Sequence, residues 1–314
     1  MMEIEEIEIL RGRYWSHHPL IKASAVLQTR TMKDAIARVM LAATRSRASI
    51  AFVALPLFGK SSCIKALEAE LAGKFPGSGV LTLEFGDDDL APSEGRMLET
   101  IMIALSGGDG IAKSIAGKRE QVHRSLLSLS GNERHIFLLI DEAQEMKHQH
   151  FRWIKRVINH LVRADVDVTT VLFGQKELSE TKVELATKGR SDLSARFMSR
   201  LFQFRGVKSI DDIGVIMSSI DSCRWTVEGR ALVYTEFLFP RAYRAGFRFE
   251  QLKDDVWSAI GKLPGSHLEN GLPMATIGSF LAMLCVALKD KDMEGMGVEP
   301  QLISATFLAA YRNA

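Results

Sequence analysis

His135-Ile-Phe-Leu-Leu-Ile-Asp-Glu-Ala-Gln144 decides how the rest of the chain is read. The unbroken apolar run Ile136–Ile140 suits a strand buried on both faces, as in the interior of a parallel sheet. The run stops at two carboxylates, Asp141 and Glu142. Two acids at the end of a buried strand are costly unless they hold a cation or do chemistry. This is the form of a Walker B motif, in which Asp141 would orient Mg²⁺ and Glu142 would polarise an attacking water.

Working outward, a second stretch supplies what such a motif needs. Ser49-Ile-Ala-Phe-Val53 is a short apolar strand, and it runs into Ala54-Leu-Pro-Leu-Phe-Gly-Lys-Ser61. A helix follows, with Ile64, Leu67 and Leu71 on one face. Strand, loop, Gly-Lys-Ser and helix is the P-loop context. Loop N–H groups and the helix N-terminus attract phosphate oxygens. Lys60 would neutralise the β and γ phosphates of ATP, Ser61 would ligate Mg²⁺, and Gly59 lets the backbone come close. Ala54, Phe58, Gly59, Lys60, Ser61, Ser62 and Asp141 are the candidate nucleotide-binding residues, with Ser61 and Asp141 on the metal. Ala54 stands where the motif normally has its first glycine, a departure that bears on affinity.

Bulk properties restrict the function classes. The chain has 314 residues, 46% of them hydrophobic and 25% charged, as expected for a globular protein of one large or two modest domains. A net charge of +2 is too mild to argue for nucleic acid by itself, so a basic footprint has to be local. Cys63, Cys223 and Cys285 have no CxxC or metal-ligand spacing, and free thiols in a reducing cytosol are expected. The start Met1-Met-Glu-Ile-Glu-Glu is acidic, unlike a signal peptide, and no apolar run approaches the roughly 20 residues a membrane helix needs. These features predict a cytoplasmic protein without a membrane partner.

The remaining chain reads as alternating elements. Residues 1–30, with Arg11-Gly-Arg-Tyr-Trp15 and His17-His18-Pro19, read as an irregular arm. Thr31-Met-Lys-Asp34 resembles a capping box for a helix with Ile36, Val39, Met40 and Ala43 on one face, closed by Arg45 and Arg47. Val80–Phe85 alternates as a strand, followed by Asp87-Asp88-Asp89, read as a solvated loop. Helices are marked by Met97, Leu98, Ile101, Met102 and Leu105, and by Val122, Leu126 and Leu129. Behind Lys147-His-Gln-His150 lies a helix with Ile154, Val157, Ile158 and Leu161 on one side and Arg152, Lys155, Arg156 and Arg163 on the other. A basic helix face is usually just solvated, but this one follows the Asp-Glu strand, which raises the chance that it meets a polyanion. Val168–Phe173 is another buried strand, ending at Gly174-Gln175. Ser191–Arg200 reads as a helix placing Arg196 and Arg200 on one face, and Phe202–Phe204 as a strand. After Ser209 only helices are predicted, with stripes Ile210, Ile213, Met217, Ile220 and Leu252, Val256, Ile260; a third is rich in Met283, Leu284 and Leu288, and Ile303–Tyr311 forms the last.

This order of elements resembles the AAA+ ATPases that regulate DNA transposition, the TnsC/TniB group, with the phage Mu B protein as a functional relative. The resemblance spans residues 30–265 and rests on Ile140-Asp-Glu-Ala-Gln144, Phe173-Gly-Gln-Lys-Glu-Leu178, Leu193-Ser-Ala-Arg-Phe197 and Gly246-Phe-Arg248. It implies an α/β P-loop AAA+ core with a central, mostly parallel five-stranded sheet flanked by helices, followed by a small all-helical lid. The expected domains are an arm (1–30), the nucleotide-binding domain (31–207), the lid (208–290) and a tail (291–314), arm and tail being assigned to partner contacts. By the same resemblance Gln175 looks like sensor 1, Arg196 like an arginine finger acting on a neighbouring subunit, Arg200 like a second candidate finger and Arg248 like sensor 2. Lys147, Gln149 and His150 match positions that contact a DNA strand in relatives, and Lys118 is a further candidate.

The resemblance further implies a homo-oligomer, ring or helical filament, that forms with ATP around double-stranded DNA. It would recruit a transposase to a target chosen by a TniQ/TnsD-like selector, and hydrolysis would take it apart. The Gly-Gln-x-Glu-Leu segment is also similar to ExeA-type secretion ATPases, although no membrane segment or cell-wall module follows the core. Ala54 leaves a nucleotide-dependent scaffold without significant hydrolysis as another alternative. A helicase or replication initiator fits the core alone.

Overall fold

The computed structural model describes residues 2–44, 48–86, 92–263 and 269–313. Arg45, Arg47 and Asp87-Asp88-Asp89 lie outside them. The chain divides into two compact units, one of residues 34–56 and 60–204, the other of residues 1–33, 57–59 and 205–314.

The first is an α/β unit built on five strands: β1 (Ser49–Val53), β2 (Gly79–Glu84), β3 (His135–Asp141), β4 (Asp167–Gly174) and β5 (Leu201–Gln203). Their order is β2-β3-β4-β1-β5, and every pairing is parallel. The expected "mostly parallel" sheet is thus parallel throughout the described residues. β3 is buried at every position after His135, as its uninterrupted apolar run requires, whereas the edge strand β2 alternates. Helices Lys60–Lys74, Glu94–Ser106, Ile115–Leu129 and His148–Arg163 supply the apolar stripes that cover it, Leu98, Ile101, Leu126, Ile154 and Ile158 among them. Register aligns Val53 with Gly174 and Glu84 with Asp141, so the strand ends that carry the sequence motifs lie along one edge of the sheet. Ligands of open parallel sheets bind outside such carboxyl ends.

Two local readings change. The helix preceding β1 spans Arg30–Ala43 and is capped by Thr29, whose hydroxyl accepts from Met32 N–H at 3.0 Å, rather than by Thr31. Its buried apolar residues are Met32, Ala35, Val39 and Ala42; of the predicted stripe only Val39 is among them. The helix carrying Arg196 spans only Ser191–Phe197, and the Arg200 carbonyl already accepts from Ala51 N–H in the sheet. Arg196 and Arg200 therefore share no helical face.

The second unit has its own core, in which Ile7, Leu10, Trp15 and Leu20 pack with Ile213, Phe237, Phe280, Phe307 and neighbours. The expected irregular arm contains the helix Ile4–Tyr14, and the expected tail contains the helix Pro300–Asn313, whose Ile303, Phe307 and Ala310 are buried. Both segments bury apolar side chains in the core of this unit. Helices Ile210–Ile220, Lys253–Gly261 and Met274–Leu288 form as their stripes predict. An antiparallel hairpin, β6 (Arg224–Val227) and β7 (Arg230–Val233), interrupts the all-helical expectation. Its two-residue turn, Glu228-Gly229, has positive φ at both positions, the backbone that matches strand twist in a tight hairpin.

One carboxylate organises the start of the helix Ile210–Ile220. Asp212 accepts from Arg205 Nη1 and Nη2 at 2.6 and 3.0 Å, and from Lys208 and Ser209 N–H at 2.9 and 3.1 Å. Ser209 Oγ accepts in return from Asp212 N–H, completing a capping box. Burial alone pushes the Asp212 carboxyl up, and the hydrogen bonds led by Arg205 more than reverse this, holding it below its usual value. A carboxyl lowered on folding stabilises above its unfolded value, about 3.9, and loses that contribution as pH falls through the folded value. Asp212→Asn should therefore cost about 1–3 kcal/mol near neutral pH, with the gap to wild type closing below about pH 4. Denaturant melts of both proteins across pH check this; an equal gap at all pH values would refute it.

Candidate nucleotide site

Three of the five strand ends along the described edge contribute a side chain. Lys60 opens the helix after β1, Asp141 ends β3, and Gln175 follows β4, which the strand order places between the other two. Ala54 N–H donates to the Gly174 carbonyl at 3.0 Å, continuing the sheet into the loop. Ala54 is buried and needs no left-handed backbone; the turn is made instead by Leu57 (φ 65°) and Gly59 (φ 91°). The absent first glycine is thus no obstacle to the loop. Within the second unit, Ala275 N–H donates to the Leu57 carbonyl at 3.2 Å, and Phe58 is buried.

The charged groups interlock. Ser61 Oγ donates to Asp141 Oδ2 at 3.1 Å, and Glu142 N–H donates to Asp141 Oδ1 at 2.9 Å. Lys60 Nζ lies 3.7 Å from Glu142 Oε1. Lys60 is 7% exposed and Asp141 8% exposed, so two opposite charges are held in a largely dehydrated place. Burial pushes the Asp141 carboxyl up, opposed by its hydrogen bonds from Glu142 N–H and Ser61 and by Lys60. Gln175 Nε2 donates to Glu142 Oε2 at 3.4 Å. Glu142 has φ 49° and ψ 41°, a left-handed backbone uncommon for a non-glycine residue and the kind of strain that collects at functional sites.

The sequence named Lys60, Ser61, Asp141, Glu142 and Gln175, and the fold brings them together in the α/β unit; Ser62 follows Ser61 on the same helix, half-buried. It did not name Gln144, whose Nε2 donates to Glu142 Oε2 at 2.6 Å and whose Oε1 accepts from Gln175 N–H at 3.0 Å. The signal was present, since Gln144 stands two residues past Glu142 in the opening stretch. Arg196 is half-buried in the last turn of its helix, and Arg200 is exposed beyond it. Arg248 belongs to the second unit, where its guanidinium lies 3.8 Å from the Tyr243 ring and donates to the Tyr243 and Phe247 carbonyls at 2.9 and 2.6 Å.

Two of the proposed DNA contacts are corrected. His150 is buried: its Nδ1 accepts from Lys147 N–H at 3.1 Å and its ring packs on Phe85 and Trp153, so it caps its helix rather than meeting a strand of DNA. Lys118 is largely buried and paired with Glu99. Lys147 is exposed and Gln149 half-buried. On the basic helix, Lys155 pairs with Asp192 at 2.7 Å and Arg156 with Glu94 at 3.0 Å; among the described residues, its exposed Arg152 and Arg163 have no such ion pair to a carboxylate. Cys63, one turn into the P-loop helix, is buried, and burial pushes its thiol up to about 12.

Comparison with known proteins agrees with this geometry. Residues 43–181 match the family model described as an AAA domain. None of the curated proteins matches the chain. Among solved structures, the chain is similar to the ORC1 protein of Aeropyrum pernix in complex with DNA, at 11% identity and a TM-score of 0.53, over 94% of this chain and 68% of that one. It is also similar to domain III of the replication initiation protein DnaA from Thermotoga maritima, at 11% identity and a TM-score of 0.50, over 89% and 92%. At such identities the likeness establishes the fold alone. The chain therefore carries an AAA-type ATPase domain with a P-loop fold and a parallel five-stranded sheet. Among the described residues, no helix is long and apolar enough to cross a membrane.

The donor set fits Mg²⁺. A hydroxyl and a carboxylate oxygen 3.1 Å apart are hard oxygen ligands, and a cation that keeps most of its waters takes only one or two groups from the protein, the rest from phosphate. Asp141→Asn should leave nucleotide binding without metal within about twofold and lower binding with Mg²⁺ by at least about tenfold, roughly 1.4 kcal/mol. Titrating a fluorescent ATP analogue with and without Mg²⁺ decides it, and an undiminished Mg²⁺ effect would remove Asp141 from the metal site.

Proposed function

We propose that this protein is an ATP-switched assembly factor on duplex DNA that regulates DNA transposition. Its homo-oligomer, a ring or filament, would link a TniQ/TnsD-like target selector to a transposase. The observation that carries the nucleotide half is the contact of Ser61 with Asp141 beside Lys60 and Glu142. Lys60 holds the phosphates, Ser61 and Asp141 hold Mg²⁺, and Glu142 takes the proton of the attacking water. Bound Mg²⁺ would screen charge on the phosphate oxygens as the bond to the leaving group breaks. Gln175, touching Glu142, helps orient the water. Arg196 and Arg200 act on a neighbouring subunit's nucleotide, and Arg248 acts as sensor 2.

The DNA half is supported by the family segments around Asp141, Gln175, Arg196 and Arg248, and by exposed Lys147 just after the catalytic strand. Arg152 and Arg163 add positive charge on a helix that has no acidic residue. Contacts of this kind go to phosphates, so binding should be indifferent to sequence and weaken steeply with salt. The A. pernix ORC1 structure contains DNA, which is a property of that protein; the shared fold is compatible with DNA binding by this one.

Two variants separate binding from turnover. Lys60→Ala should abolish ATP-dependent assembly on a short duplex, followed by light scattering or electron microscopy. Glu142→Gln should assemble as wild type does and then persist, with phosphate release reduced by about 10²-fold or more. A Glu142→Gln assembly that falls apart as fast as wild type would contradict the role of Glu142. Binding confined to one particular DNA sequence would favour a replication initiator instead.

A further inference from the structure

Both carboxylate oxygens of Glu142 are occupied, and by different kinds of group. Oε1 faces Lys60 Nζ at 3.7 Å. Oε2 accepts from Gln144 Nε2 at 2.6 Å and, more weakly, from Gln175 Nε2 at 3.4 Å. Gln144 is itself fixed at its far end, because its Oε1 accepts from Gln175 N–H at 3.0 Å. Gly174 leaves room beside that oxygen: a Cβ there would lie 3.1 Å from Gln144 Oε1 and 3.0 Å from Leu178 Cδ2. The strained backbone of Glu142 aims the side chain into this grip.

We propose, on the hydrolytic reading of the site given above, that Gln144 is a positioning residue that clamps Glu142 by Oε2 while Lys60 parks it by Oε1. With no nucleotide, the lysine ammonium neutralises the carboxylate that must serve as base. A triphosphate carries more negative charge than one carboxylate and competes for the same ammonium. Oε1 then loses its partner and becomes the free acceptor. Gln144 keeps Oε2 in place, so the carboxylate neither follows the lysine nor rotates. In the step this prepares, water oxygen forms a bond to the γ-phosphorus as the bond to the β–γ bridging oxygen breaks. The leaving ADP takes that electron pair, and the water proton goes to Glu142 Oε1. The base is thus released by substrate itself.

Gln144 is tested in the full chain with Gln144→Ala and the near-isosteric Gln144→Glu, which keeps the acceptor for Gln175 N–H but replaces the donor to Glu142 with a second carboxylate. Steady-state phosphate release should show kcat falling about 10- to 100-fold, part of the 10²–10⁴ a positioned base supplies. KM and the Kd of a fluorescent ATP analogue should stay within about twofold, because the clamp does not touch the nucleotide. Gly174→Ala, which crowds Gln144 Oε1, should give a smaller loss in kcat alone. In a Glu142→Gln background, Gln144→Ala should lower the residual turnover no further, since the two act as one unit. Unchanged kcat in both Gln144 variants would overturn the proposal, as would a full additional loss in the Glu142→Gln background. If Gln144→Ala does not fold, Gln144→Glu decides alone. A wild-type protein that binds no ATP would sink the hydrolytic reading first, an outcome distinct from active wild type with indifferent Gln144 variants.

Discussion

Lys60 and Asp141 are almost fully withdrawn from water at the carboxyl edge of one parallel sheet, and that burial constrains everything around them. A charge in such a place is tolerated only when partners replace the lost hydration. The chain supplies the minimum: Ser61 for Asp141, Glu142 for Lys60, and the amides of Gln144 and Gln175 for Glu142. Each partner is one that a polyanion with a divalent cation can displace or join. The burial that pushes the Asp141 carboxyl up also makes the site receptive, because a cation arriving there meets a carboxylate with little water to compete.

Sheet order is what makes this arrangement possible. β4 lies between β1 and β3, so the groups after β1 and β3 meet across the end of a third strand. Gly174, at that middle strand's end, leaves room for Gln144 where a side chain would intrude. Gln175 can then reach Glu142 from one side while Lys60 reaches it from the other. The residues named from motif patterns are therefore coupled through packing that no motif states.

Much of this was legible before any coordinates. The apolar run into Asp141-Glu142 pointed to a doubly buried strand, since five consecutive apolar residues suit a strand covered on both faces. Gly59-Lys60-Ser61 before an amphipathic stripe placed the loop. What escaped depends on long-range contacts. His150 reads as a polar loop residue, yet its ring is drawn inward by Phe85 and Trp153. Lys118 reads as a free cation, yet Glu99, nineteen positions earlier, neutralises it. The first helix was missed because its apolar face, Ile7 and Leu10, finds its core more than 200 residues away. The β6–β7 hairpin was missed because Glu-Gly is a weaker turn signal than Asn-Gly, although Trp225-Thr-Val and Ala231-Leu-Val flank it.

The most direct test of the central claim is electron microscopy of the protein with Mg²⁺, a non-hydrolysable ATP analogue and a short duplex, at a resolution that shows side chains. The account predicts a triphosphate over Lys60, a cation between Ser61 and Asp141, and an arginine from the adjoining protomer at the γ-phosphate. An ordered assembly whose nucleotide lies elsewhere, with Lys60 still paired to Glu142, would contradict it.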